Sequence, residues 1–166
     1  VLDKYEVVIV ERLHAGGTLP LPGARVGVRV PAHCSACGKI LLASSPWPDV
    51  AGWFGGEIAA KTTASIQDLD ALRGELNTVR VRGLAYDRDE SVIGLSCIAA
   101  PVRNDGGRVV AAVSIAVPSH RFDEELRVFE QRIQTTAERI SGRLGYKGGG
   151  RGRSVGGSAR TGGGES

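Results

Sequence analysis

Methionine is absent from the 166 residues, aromatic side chains make up only 5%, and there are three cysteines. Each scarcity removes a class of protein. An odd, small number of thiols does not fit the paired framework of a disulfide-rich secreted fold, and free thiols are the simpler expectation. No apolar run approaches the roughly 20 residues that a membrane helix requires. The first residues hold no basic stretch followed by an apolar one, so no secretory leader is read. A cytoplasmic location without a membrane partner is therefore expected. The missing initiator Met reads as a fragment of a longer chain. Net charge is scarce too, once it is located. The chain carries +3, with 21 basic and 18 acidic residues. Lys147, Arg151, Arg153 and Arg160 against Glu165 account for all of it, which leaves 17 of each sign over the first 146 residues. A neutral domain has no bulk electrostatic drive towards nucleic acid.

What is present is ordinary globular patterning, 42% hydrophobic and 23% charged. Glu6 to Leu13 is rich in β-branched residues and reads as a strand. Residues 19–27, with two prolines and two glycines, read as loop, and Val28 to Val30 as a short extended piece stopped by Pro31. His33 to Ala43 begins with small residues and continues with aliphatic ones, the pattern of a compact, closely packed helix. Pro48 to Phe54 reads as a further helical turn, anchored by Trp47, Trp53 and Phe54. A clear helix is expected from Ser65, where Ser65-Ile66-Gln67-Asp68 resembles a capping box. Ile66, Leu69, Leu72, Leu76 and Val79 form its apolar stripe, and Gly83 stops it. A charged loop follows. Leu95 to Val102 and Val109 to Val117 read as strands joined by a hairpin turn at Asn104-Asp105-Gly106-Gly107. A turn that short excludes a parallel crossover. Leu126, Phe129, Ile133, Ala137, Ile140 and Leu144 then stripe a closing helix capped by Gly145. From Gly148 onward nine glycines and almost no apolar mass predict disorder. The expectation is one α+β domain over residues 1–146, an antiparallel sheet flanked by helices, and a disordered Gly-rich tail over 147–166.

Four segments carry a family resemblance. Val28 to Ala43 is similar to the pattern L-P-x-H-x-x-A-x-G-K-A-x-L-A of IclR-family transcriptional regulators. Thr62 to Gly83, followed by Ala85-Tyr86-Asp87-Arg88-Asp89-Glu90, resembles the family's capped helix and its R-G-x-A-x-D-x-E-E segment. Gly94 to Val102 and Ile140 to Tyr146 resemble the two stretches that complete the set. The resemblance covers roughly residues 5–146. The resemblance implies a GAF-like effector-binding domain and a regulator that works as a homodimer or homotetramer. It implies that DNA is bound only through an N-terminal winged helix outside this chain. It also implies a small effector, often an organic or aromatic acid. The chain departs from the family at Asp89, where Glu is usual, and at Cys37, where small residues are common.

Alternation along the hairpin points to a pocket. Val109, Ala111, Val113, Ile115 and Val117 share one face, which reads as core. Val110, Ala112, Ser114 and Ala116 share the other, where small side chains leave room and Ser114 can orient a ligand. Leu95, Cys97 and Ala99 share a face of the neighbouring strand. The resemblance places Ala36, Cys37, Asp87, Leu95, Cys97, Ser114 and Ala116 around the effector cavity. A second hydroxyl is common in the family where Ala116 stands, and its loss favours a less polar ligand. The helix start offers amide N–H groups around Ser35 to Cys37 for a ligand carboxylate. Ala36 and Gly38 would permit close approach, and Asp87 would accept from a ligand hydroxyl. The plainer alternatives are that Ser114 bonds backbone, that Cys97 fills core, and that Asp87 is a solvated loop acid. Cys34-Ser35-Ala36-Cys37 is also a C-x-x-C, so a thiol redox or zinc-sensing role for Cys34, Cys37 and Cys97 is the competing reading. His33 is expected to support the helix start, and His14 and His120 to lie in loops or at the surface. Asp89-Glu90 reads as a solvated acidic pair. No phosphate loop, zincin motif or nucleophile elbow occurs, so neither enzymatic chemistry nor a cofactor is expected.

Overall fold

The computed structural model describes residues 1–13 and 25–148. His14, most of the loop read at 19–27 and nearly all of the predicted tail lie outside the described residues. Among the described residues six strands run in chain order, with five helices between and after them. They are β1 Leu2–Asp3, β2 Glu6–Val8, β3 Arg29–Pro31, β4 Ala85–Arg88, β5 Leu95–Arg103 and β6 Val109–Pro118. The helices are α1 Ala36–Ala43, α2 Trp47–Phe54, α3 Leu69–Arg82, α4 Ser119–Phe122 and α5 Leu126–Arg143. The strands form two antiparallel three-stranded sheets, β1-β2-β3 and β4-β5-β6. This is the predicted α+β class.

The larger sheet is covered on both faces. Ala85, Ala99 and Ala112 turn towards Ile40 of α1 and Leu72, Leu76 and Val79 of α3. Tyr86, Ile98, Ala100, Val113, Ile115 and Val117 turn towards Phe122 of α4 and Phe129, Ile133 and Ala137 of α5. The smaller sheet packs against α1 through Leu2 and Val7.

Several elements depart from expectation for local reasons. The first strand stops at Val8, paired to both β1 and β3. Asp68, not Ser65, caps α3, its carboxylate accepting from the Ala71 N–H at 2.7 Å. Ser65 is freed to donate to the Glu90 carbonyl at 2.6 Å. Residues 85–88, read as charged loop, form β4, because Ala85 and Asp87 alternate inward while Arg88 stays outside. Val102 pairs with Ala111 and Arg103 with Val109, so Val110 is a bulge. That extra residue rotates Val109 onto the α1 face instead of the α5 face. In α5 the buried stripe ends on Ser141, which is 2% exposed, while Ile140 and Leu144 face outward at 36% and 48%. The Ser141 hydroxyl accepts from the Arg103 N–H and donates to the Ala137 carbonyl, tying the helix end to β5.

Candidate ligand site

The sheet register brings the expected site residues onto one face. Asp87 lies opposite Cys97, and Cys97 opposite Ala116. In the next row Ala85 lies opposite Ala99, and Ala99 opposite Ser114. Leu95 pairs with Pro118 at the end of the same face. Side chains in these rows are small, so the floor they make is shallow and has one hydroxyl. Ser114 is exposed, and Leu95, Cys97 and Ala116 are half-buried. The first turn of α1 crosses this face, with Ala36 buried and Cys37 half-buried. Ser114 lies against Cys37, its hydroxyl favouring the thiolate, but burial is the larger effect and pushes the Cys37 thiol up.

Gly38 explains how α1 comes so close. A Cβ there would sit 2.1 Å from the Ala32 carbonyl oxygen and 2.3 Å from the Ala32 Cα. The close approach that glycine permits is therefore to the backbone of Ala32, not to a ligand. Ser35 caps the helix by accepting from the Gly38 N–H at 3.2 Å, and its carbonyl accepts from the Lys39 N–H at 3.0 Å. The Ala36 and Cys37 amides have no such acceptor among the described residues. They are the first-turn donors left for an anion.

Asp87 is placed differently from the expectation. It is 1% exposed, and its carboxylate is turned onto its own loop. One oxygen accepts from the Glu90 N–H at 2.8 Å and the Ser91 N–H at 3.2 Å, and the other from the Ser91 hydroxyl. Burial still holds its pKa above the ordinary range against these bonds. Asp87 thus fixes the loop beside the site and has little acceptor capacity left for a ligand.

Sequence reasoning missed a buried cation. Lys39, 2% exposed, sits inside between α1, α3 and β4. Its Nζ donates to Glu90 Oε1 at 2.7 Å, the Tyr86 carbonyl at 2.9 Å and Glu75 Oε1 at 3.1 Å. Glu90 is buried, not solvated, and its Oε2 has no hydrogen-bond partner among the described residues. Burial raises its pKa, opposed by Lys39. Asp89 is likewise tied down: its Oδ1 accepts from the Gly94 N–H at 2.7 Å and the Ser119 hydroxyl at 2.6 Å.

His33 is 3% exposed and lies edge-on to Phe54 with ring centroids 5.6 Å apart. Neither ring nitrogen completes a hydrogen bond among the described residues, although the Ala59 backbone comes near enough to favour the protonated ring. Burial prevails and lowers its pKa, helped by the charges of Lys39 and Lys61. His120 is exposed, as expected.

The three thiols share one electrostatic condition. Burial pushes Cys34 up to about 12 and raises Cys97 further, with Asp87 adding to both. Among the described residues no cluster of three His, Cys, Asp or Glu side chains could hold a metal. No described helix is long and apolar enough to cross a membrane.

Comparison with known proteins identifies the family. The family description "Bacterial transcriptional regulator IclR C-terminal" matches residues 1–142. The regulator XynR of Escherichia coli K12 is 32% identical over 148 residues, 88% of this chain and 58% of XynR. The C-terminal domain of E. coli KdgR superposes with a TM-score of 0.75 at 33% identity, over 87% of this chain and 84% of that domain. The inducer-binding domain of PobR from Acinetobacter, solved as a double mutant with 3-hydroxybenzoic acid, superposes with a TM-score of 0.78 at 26% identity, over 85% and 84%. The chain spans a little over half the length of full-length relatives such as XynR (58%) and E. coli KdgR (56%). These relatives are transcriptional regulators, not enzymes, and this chain belongs to the IclR family as a carrier of its C-terminal domain.

Proposed function

We propose that the domain, over residues 1–146, senses a small organic or aromatic acid for a DNA-binding regulator. The ligand would lie on the face formed by Leu95, Cys97, Ser114 and Ala116, beneath the first turn of α1. Its carboxylate would meet the Ala36 and Cys37 amides, and its apolar body would rest on the small floor. Asp87 would border the site and hold its loop. The observation that carries this reading is the register, which aligns Asp87–Cys97–Ala116 and Ala85–Ala99–Ser114 under α1. The 3-hydroxybenzoic acid bound by the PobR domain supports the ligand class. Occupancy would favour one arrangement of a cytoplasmic homodimer or homotetramer, and N-terminal winged helices outside this chain would convert it into altered DNA binding.

The raised thiols argue against the redox alternative. A sensor cysteine needs a low pKa and access; Cys34 and Cys97 are both raised, and Cys34 is buried. A thermal-shift screen against organic and aromatic acids tests the proposal, since a ligand that binds only the native state raises its stability by mass action. A saturable shift that Ser114→Trp abolishes, without lowering the unliganded Tm, supports the site. A shift that survives Ser114→Trp moves the site elsewhere.

A further inference from the structure

Lys39 and Glu90 stand 51 residues apart in sequence, yet meet at 2.7 Å with both residues buried. Their positions matter because of what each is joined to. Lys39 is two residues beyond Cys37, on the same short helix that roofs the ligand face. Glu90 donates its own amide to Asp87, whose strand partner is Cys97 on the floor of that face. The Glu90 carbonyl accepts from Ser65 and Thr62, and Asp89 is tied to Ser119. The loop from Asp89 to Gly94 is therefore held at several points, and it presents Val92 and Ile93 to solvent at 42% and 76% exposure. Among the described residues the direct polar link from this loop to α1 is the Lys39 ammonium.

We propose that Lys39–Glu90 is a positioning clamp that makes the first turn of α1 and the 87–94 loop move as one body. The inference rests on the ligand reading above. A ligand pressing on Cys37 displaces α1, and the clamp carries that displacement to the Val92–Ile93 tip. Neither residue touches the ligand. Both act through the elements they join, and Glu75, at the half-exposed rim, contributes little to the link.

Site-resolved hydrogen exchange on the ligand-free chain tests the clamp without knowledge of the ligand. In Lys39→Met the Glu90 and Ser91 amides, and the α1 amides of residues 38 and 39 that Ser35 holds, should lose protection at least about tenfold, because they then open by a sub-global route. The Ile98 and Ala100 amides of β5 should keep theirs to within about twofold. Glu75→Gln should leave all of these near wild type. Glu90→Gln, the milder change should Lys39→Met fail to fold, should show the same selective loss at smaller amplitude. Lys39→Arg should restore protection in part, since a cation returns. Equal loss at every amide, or wild-type protection at Glu90 and Ser91, overturns the clamp. If exchange behaves as expected while no acid binds at Ser114, the ligand reading fails and the clamp stands.

Discussion

Replacing Gly38 by alanine separates two opposed forces of known size. Glycine inside a helix is worth about 0.5–1 kcal/mol less than alanine, so propensity alone predicts a more stable protein. Packing predicts the reverse. The added methyl would meet Ala32 O at 2.1 Å, Cα at 2.3 Å and the carbonyl carbon at 2.5 Å. All three atoms are backbone, so no side chain can swing aside. Ordinary contact needs more than 1 Å of further separation, and α1 would have to lift from Ala32 by that amount. The move would disturb Ile40 and Leu42, which are 2% and 0% exposed, and the Lys39 bonds. Overpacking of a well-filled core typically costs about 1–3 kcal/mol, and a backbone clash belongs at or above the top of that range. Subtracting the propensity gain leaves a net loss of about 2 kcal/mol or more. At about 4 °C per kcal/mol for a domain of this size, Tm should fall by roughly 8 °C. Urea denaturation with an unchanged m-value gives the free energy directly. A Gly38→Ala variant as stable as the parent, or stabilised by the propensity gain, would refute the close approach of α1 to Ala32.

Ser141→Ala should lose about 1 kcal/mol or more, because it removes the acceptor of the partly buried Arg103 amide; an unchanged denaturation midpoint would mean that water serves the amide instead. Burial holds Asp87 and Glu90 above their ordinary values of 3.8 and 4.5, so both bind protons more readily folded than unfolded. Their contribution to stability is full below those values and is lost as pH rises through the raised ones. Glu90→Gln should therefore make the slope of stability against pH more positive from about 4.5 upward; a parental slope would show that Glu90 titrates like an exposed acid. Iodoacetamide at neutral pH should alkylate all three native thiols slowly, Cys37 first and Cys34 last, as followed by mass spectrometry. Fast labelling that persists at pH 6 would reveal a thiolate and revive the redox reading.

How much of this was legible in the sequence depended on whether the deciding contact was local. The α3 stripe and its stop at Gly83 were readable because helical periodicity and a left-handed glycine, with φ of 71°, are properties of neighbouring residues. The candidate face was readable because strand alternation puts Leu95 and Cys97 on one side of β5, and the register puts Ser114 and Ala116 on the same side of β6. Alternation failed at Val109, where a bulge changes the count, and nothing at that residue signals a bulge. It failed at β4 because the run Asp87 to Glu90 resembles a solvated loop until its partners are known. Asp87 is buried with its own turn supplying three donors to its carboxylate. Lys39 is the sharpest case. A lysine in a helix normally marks a solvated face, yet in α1 it stands between Gly38 and Ile40-Leu41-Leu42, all buried. An eight-residue helix with no polar face leaves its one cation nowhere to go but inward, and an inward cation requires an acid. That signal was present in residues 36–43. The identity of the acid was not, since Glu75 and Glu90 lie 36 and 51 residues away. The tertiary fold selects them, and it thereby joins the roof of the candidate site to the loop beside it.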